Sequence, residues 1–549
     1  MWQSRALPRD EEVELESLLL QDLEDDDDLI SSPDAPLAMA PTSTQTTTTI
    51  RRPKWLSRAP RHREWYHRWV QPISSYLIHL FRPRLTWRYV LFSALALYVL
   101  YCFVRGSPLF ASPLPPHMGA YGVGAVDLEI PLQGGPKRIS EAVFKHSGDP
   151  AFDVETLLVT LYYPTDPAFR SRKSRHYWIP KPISLTSKGY AKLAHLDNFV
   201  TRPLLTSLLW AVAGHITIPA EVDAPILGSP SLDSDSDGES QPGPFPIMVF
   251  SHGSASSRTD YTYFLGELAS RGHVVAAIEH RDGSCPGTLI KLTPDDPGRP
   301  RLHMRPSDLK DKMDTPEFKR TQLAFRDAEI RAAIDLLTSL NQGTLPDNNT
   351  RAPVTTLDNW AGRLNTALLT IAGHSYGATG ALQALSTVAP NASAGIILDP
   401  GKSSGPLNHD ATVPLLVIHS NSWSRTHSIF HGRPHFDTVR DLVRGAPAPS
   451  WFLTSIGTSH PSVTDAPLRE PLLLRWTTGA GMDVKAALRE YVGAANDFMT
   501  YVATGEVPAG LLSEKVTHEK YGEWISEERK REFPKGLAKH WEIHVTPGS

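Results

Sequence analysis

The run LLTIAGHSYGATGALQAL, residues 368–385, places a small apolar stretch before Gly373-His374-Ser375-Tyr376-Gly377 and a helix-like stretch directly after it. Few folds satisfy that arrangement. A nucleophile elbow does: a strand ends, the chain turns sharply through a strained serine, and a helix leaves at once. Only small residues on either side let such a turn close. The same five residues also fit a glycine-rich turn between strand and helix in another α/β domain, so the surrounding chain has to decide.

The surroundings alternate strand and helix. FPIMVFSHG (245–253) reads as a buried strand, YFLGELASRG (263–272) as a helix and HVVAAIEH (273–280) as a second buried strand. A long helix follows over 317–341, with Leu323, Ile330, Ala333, Ile334 and Leu337 at helical spacing. After the elbow come strands at 394–399, 413–420 and 450–457, and before all of these lie GAVDLEIPL and TLLVTLYYPT. The pattern predicts one doubly wound, mainly parallel sheet with helices on both faces.

At 549 residues the chain exceeds one ordinary domain, and its net charge of −4 argues against a nucleic-acid partner. Its only cysteines are Cys102 and Cys285, the first inside an apolar run, which excludes a disulfide framework. No C-x-x-C, H-E-x-x-H, Walker-type or dinucleotide glycine signature occurs, so no cofactor and no metal is proposed.

Residues 1–86 read as a disordered cytosolic tail, acidic at 24–28 and strongly basic from Arg51 to Arg84. An uncharged run, YVLFSALALYVLYCFV, then spans 89–104, and 87–106 is expected to be a transmembrane signal-anchor. A buried helix or a cleaved signal segment are the alternatives. After Arg105 the next lysine or arginine is Lys137, a bias that predicts a single-pass type II orientation with everything beyond the span lumenal or extracellular. The sequons at Asn348 and Asn391 fall on that side. In the tail, Glu14 with Leu18 and Leu19 fits the acidic di-leucine pattern read by vesicle-coat adaptors, and fits a solvated amphipathic patch as well. The remaining organisation is a linker at 107–116, a catalytic domain at 117–512 with an acidic loop insert at 225–244, and a charged extension at 513–549.

With an elbow serine, the acid and base are expected later in the chain, at the ends of subsequent strands. Asp399 ends the first strand after the elbow helix. No carboxylate follows the next strand until Asp437, so Asp399 is the preferred acid. His460, just after the last strand, is the base; His419, His427, His431 and His435 read as strand-end or loop histidines. The oxyanion donors are expected to be the backbone N–H groups of Tyr376, after the nucleophile, and of Ser254, in the loop after the early FSHG strand.

Read whole, FPIMVFSHGSASSRTDYTYFLGELASRGHVVAAIEHRDGS (245–284) resembles the platelet-activating-factor acetylhydrolase family, with VTLYYPT, GHSYGA, GIILD and GTSH in the family's order. The resemblance covers roughly 117–510 and implies an α/β-hydrolase fold. It also implies a calcium-independent serine phospholipase with the triad on Ser375, Asp399 and His460, cleaving short or oxidised sn-2 acyl groups (1-alkyl-2-acetylglycerophosphocholine esterase type). The chain departs from the family at Ala378, where a glycine is usual, and at Pro400-Gly401, where an aromatic residue is usual. The alternatives are a carboxylesterase or polyester hydrolase of the same fold, and a catalytically silent, membrane-tethered binding module. PLLTSLLWAVAG (203–214) reads as a helix that either dips into a bilayer or forms a buried cap.

Overall fold

The computed structural model describes residues 86–104, 113–228, 243–344, 348–351, 357–425, 429–430, 433–469 and 478–549. The expectations for the tail, including Glu14, Leu18 and Leu19, for most of the acidic insert, and for His427 and His431 lie outside these residues.

The main sheet is built from β1 (Gly122–Pro131), β2 (Thr156–Thr165), β3 (Glu221–Val222), β4 (Phe245–Ser251), β5 (Val274–Ile278), β6 (Leu364–His374), β7 (Ala394–Leu398), β8 (Leu415–Ser420), β9 (Trp451–Ser455) and β10 (Trp541–Val545). These ten strands lie in the order β10-β9-β8-β7-β6-β4-β5-β2-β1-β3. From β5 through β9 the neighbours run parallel, while β2 pairs antiparallel with both β1 and β5 and β10 pairs antiparallel with β9.

Alternate side chains of each central strand enter opposite cores. Ile247 and Val249 of β4 join Ile330 and Ala333 of α5 (Thr315–Gln342) and Leu382 of α6 (Tyr376–Thr387). Met248 and Phe250 face the other way, to Leu265 and Leu268 of α4 (Thr262–Ala269) and Leu488 and Val492 of α8 (Val484–Thr504). Period-two burial on both faces is why these strands read as continuous apolar runs. The sheet carries helices on both sides, as the alternation of elements predicts.

Two expectations are corrected. The charged segment 513–549 is not an appendage to the sheet: β10 forms its edge, with Trp541 and Ile543 fully buried. The predicted span at 87–106 contains a separate helix, α1 (Trp87–Val104), 18 residues long. Among the described residues no helix is long and apolar enough to cross a membrane.

The run 203–214 belongs to α3 (Thr201–Ala213), which packs on α2 (Ile183–Leu193) as a helical hairpin. It is not buried as a cap. Phe199 is 87% exposed, Leu204 65% and Leu208 58%.

Candidate active site

Ser375 sits between β6 and α6 with φ 54° and ψ −122°, a strained conformation for a residue with a Cβ. Its N–H donates to Leu398 O at 2.9 Å, which ties the elbow to β7. The flanking glycines are required by contact. A Cβ on Gly373 would lie 2.2 Å from Gly377 O, and one on Gly377 would lie 2.1 Å from Ser251 O.

Asp399, directly after β7, also has positive φ (47°), and only 3% of it is exposed. Its Oδ1 accepts from the Ser420 N–H at 2.6 Å; its Oδ2 accepts from the Ser420 hydroxyl at 2.7 Å and lies 2.8 Å from His460 Nδ1. The place after β8 where no carboxylate was found thus holds a serine that orients the carboxylate of the preceding strand. His460 opens a 3-10 turn (His460–Val463) after β9, half-buried, with its N–H donating to Ser422 Oγ at 3.0 Å. Its ring lies 4.5 Å from that of His374 and 3.9 Å from the Trp423 indole. No hydrogen bond joins Ser375 Oγ to His460 in this structure; such contacts often tighten only when substrate is bound.

The loop after β4 is built around Gly253, where an added Cβ would lie 3.1 Å from that of Ser375. Gly253 N–H donates to Tyr261 Oη (3.1 Å) and Ala255 N–H to Ser284 O (2.8 Å); between them lies the exposed Ser254, the residue expected to supply an oxyanion donor. Tyr376, at the N-terminus of α6, has its ring buried under the Arg326 guanidinium, and its hydroxyl donates to Lys319 O (2.9 Å).

Behind the loop lies a polar network hidden from water. Arg326 donates to Asp282 Oδ2 (2.8 Å), Ser251 Oγ (3.1 Å), His252 O (2.7 Å) and Ser284 Oγ (2.6 Å). The His280 N–H donates to His252 Nε2 (3.1 Å), so His252 carries its proton on Nδ1 and donates to Gly253 O (2.7 Å). Burial drives His252 down to about 4 and keeps this ring neutral. Each residue of the EHRD block is placed in turn: Glu279 with Arg258, His280 with Glu329, Arg281 with Glu129 and Asp282 with Arg326.

His419 is fully buried against Phe452, and burial drives it well below its ordinary range. His435 starts a helix (His435–Arg444) and stacks on His419, while Asp437 pairs with Arg440 at 3.0 Å. The carboxylate hydrogen-bonded to His460 is that of Asp399, while Asp437 is paired with Arg440. One trio among the described residues brings potential metal-ligand atoms within 4.8 Å of one another: His374, Asp399 and His460. Asp399 Oδ2 is bonded to His460 and Ser420, and His374 Nδ1 to the Tyr261 hydroxyl at 2.9 Å.

Residues 112–489 match the family described as platelet-activating factor acetylhydrolase, isoform II. The chain belongs to this family. A putative phospholipase A2 of Schizosaccharomyces pombe is 27% identical over 282 residues, 48% of this chain and 57% of the relative. Platelet-activating factor acetylhydrolases of Canis lupus familiaris (26%, covering 50% of this chain and 52% of the relative) and Cavia porcellus (28%, 52% and 55%) are similar as well. The chain thus spans about half the length of the curated relatives it matches. A solved ferulic acid esterase of Streptomyces cinnamoneus aligns with 74% of this chain and 97% of its own, at 18% identity and a TM-score of 0.48.

Sequence reasoning missed Ser420, Ser422, Trp423, Tyr261 and Arg326. Ser420 carried a signal, standing at the strand end where an acid was sought. Tyr261 stands just before α4 and Arg326 in the middle of α5, with no motif around either to single it out.

Proposed function

We propose that this member of the platelet-activating-factor acetylhydrolase family is a serine-dependent carboxylic-ester hydrolase acting on glycerophospholipids with short or oxidised sn-2 acyl groups. The observation that carries the chemistry is the Asp399–His460 hydrogen bond of 2.8 Å beside a serine held at positive φ. In this reading Ser375 Oγ attacks the ester carbonyl while His460 Nε2 takes the hydroxyl proton. Asp399 fixes the imidazole with Nδ1–H toward itself and balances the imidazolium. The backbone N–H groups of Ser254 and Tyr376 receive the developing oxyanion. The imidazolium then protonates the departing lyso-phospholipid oxygen, leaving an acyl group on Ser375, and a water activated by His460 releases the free acid.

The α2–α3 hairpin supports a lipid substrate. Its Tyr190 hydroxyl donates to Ala255 O at 3.3 Å, next to the oxyanion loop, and Val212 O accepts from Arg469 at 2.6 Å, in the segment after His460. In this reading the exposed apolar side chains Phe199, Leu204, Leu208 and Trp210 of the same hairpin are the surface that meets a bilayer. The test is hydrolysis, in EDTA, of phosphatidylcholines carrying sn-2 acetyl, oxidised or long acyl groups against a soluble aryl ester, with fluorophosphonate labelling of Ser375. Turnover of the aryl ester alone would make the protein a general esterase. Absence of labelling would make it a silent module.

A further inference from the structure

The short helix α7 (Asn421–Arg425) leaves β8 directly after Ser420 and lays the Trp423 indole flat on the His460 imidazole. The two rings are 3.9 Å apart and 10° from parallel. The indole is fixed on both its edge and its far side. Its Nε1–H donates to Pro400 O at 3.0 Å, the carbonyl of the residue following Asp399. The Lys402 ammonium lies over the indole at 4.5 Å from the centroid; because His460 already covers one face, the ammonium covers the other. Lys402, Trp423 and His460 thus form one stack, anchored to the strand end that carries the acid.

We propose that Trp423 is a positioning residue for His460, holding the imidazole in plane with Asp399 and offering its π face to the imidazolium that forms when Ser375 is deprotonated. This rests on the hydrolase reading above. Without the indole, one face of the half-buried His460 opens to water and the ring is held against turning only by Asp399 and the His374 ring 4.5 Å away. Its Nδ1–Asp399 contact is then the main restraint against swinging away from Ser375. With the indole present, rotation is blocked sterically, and the positive ring lies over an aromatic face, an interaction strong enough to change a rate by about 5-fold to 30-fold. The competing role for an aromatic ring at this place is a wall of the acyl pocket, which would act on substrate fit and not on the base.

The two roles separate in kinetics. Trp423→Leu and Trp423→Phe are compared with the wild-type chain on a soluble aryl acetate and on phosphatidylcholines of several sn-2 lengths. The expected result is a kcat about 10-fold lower for Trp423→Leu with KM within about 2-fold, and recovery to within about 3-fold in Trp423→Phe, whose phenyl ring still stacks. The rate of covalent reaction with a small ethyl fluorophosphonate, which carries no acyl chain to be walled in, should fall in the same ratio. A changed KM or chain-length preference with unchanged kcat and labelling rate would overturn the proposal. If Trp423→Leu fails to fold, the labelling rate of Trp423→Phe still decides, since wild-type speed together with altered chain preference means a pocket wall. Ser375→Ala separates the levels: activity surviving in that variant removes the hydrolase reading itself, whereas an inactive Ser375→Ala beside a fully active Trp423→Leu removes the stacking role alone.

Discussion

On the Gly253 flank of Ser375 the chain is fixed by charges that are wholly or largely buried, whereas on the Asp399–His460 flank it is fixed by serine hydroxyls and a stacked ring at the edge of solvent. Arg326 and Asp282 are both fully buried, and Arg258 sits between Glu279 and Asp127. Across the nucleophile, Asp399 is held by Ser420 and His460 by Ser422 and Trp423. The first arrangement suits a loop that must present a backbone N–H in one place and not relax around the substrate. The second suits groups that exchange a proton in each cycle, because neutral donors leave the carboxylate's charge available to the imidazolium. The contrast implies that damage on the two flanks differs in kind: lost fold on one, lost rate on the other.

The largest effects should come from the reacting groups. Ser375→Ala and His460→Ala are expected to lower kcat by about 10⁴-fold or more, and Asp399→Asn by a similar factor, with melting temperatures close to wild type. A folded Asp399→Asn protein at near-normal rate would move the acid elsewhere, with Asp437 the next to test. On the opposite flank, Arg326→Met should lower the free energy of unfolding by about 3–5 kcal/mol, because it strands the buried Asp282 carboxylate; urea titration measures this. Unchanged stability would erase the contrast. Ser420→Ala removes one hydroxyl donor from Asp399 and is expected to reduce kcat about 10-fold while shifting stability little.

The smallest effect is a pH dependence. Burial alone would raise Asp127, but the Arg258 guanidinium at 2.9 Å overcomes it and holds the carboxyl well below the ordinary carboxylate range. A depressed native value means this contribution is fully present above about pH 4, near the unfolded value, and is lost as pH falls further. Asp127→Asn should therefore show a shallower loss of stability than wild type on acidification below about pH 4. Parallel slopes would show that the pair is not linked to folding.

The elbow was legible because steric demand is written in residue size: two glycines around one serine have few other uses. The place of Asp399 directly after a buried strand was legible from strand order. What holds it was not. Serine hydroxyls and a tryptophan face act through geometry between β8 and its neighbours, and neither leaves a periodic trace in sequence. The EHRD block was readable only as a shared pattern; its four separate partners lie on strands and helices far away in the chain. β10 was missed because Glu542 and His544 alternate with Trp541, Ile543 and Val545 inside a strongly charged segment. The run at 87–106 gave a helix, α1, but among the described residues no helix is long and apolar enough to cross a membrane.

The edge strand β10 also bears on how His460 is kept in place. His544 Nε2 lies 2.7 Å from Thr454 Oγ1, a residue 90 positions earlier, on the strand that leads into His460. Without β10, β9 would present an open edge and the segment that carries His460 would lose its outer support. The interior strands β4 to β7 draw nothing from that edge, so a fault there would reach the imidazole and leave the elbow standing.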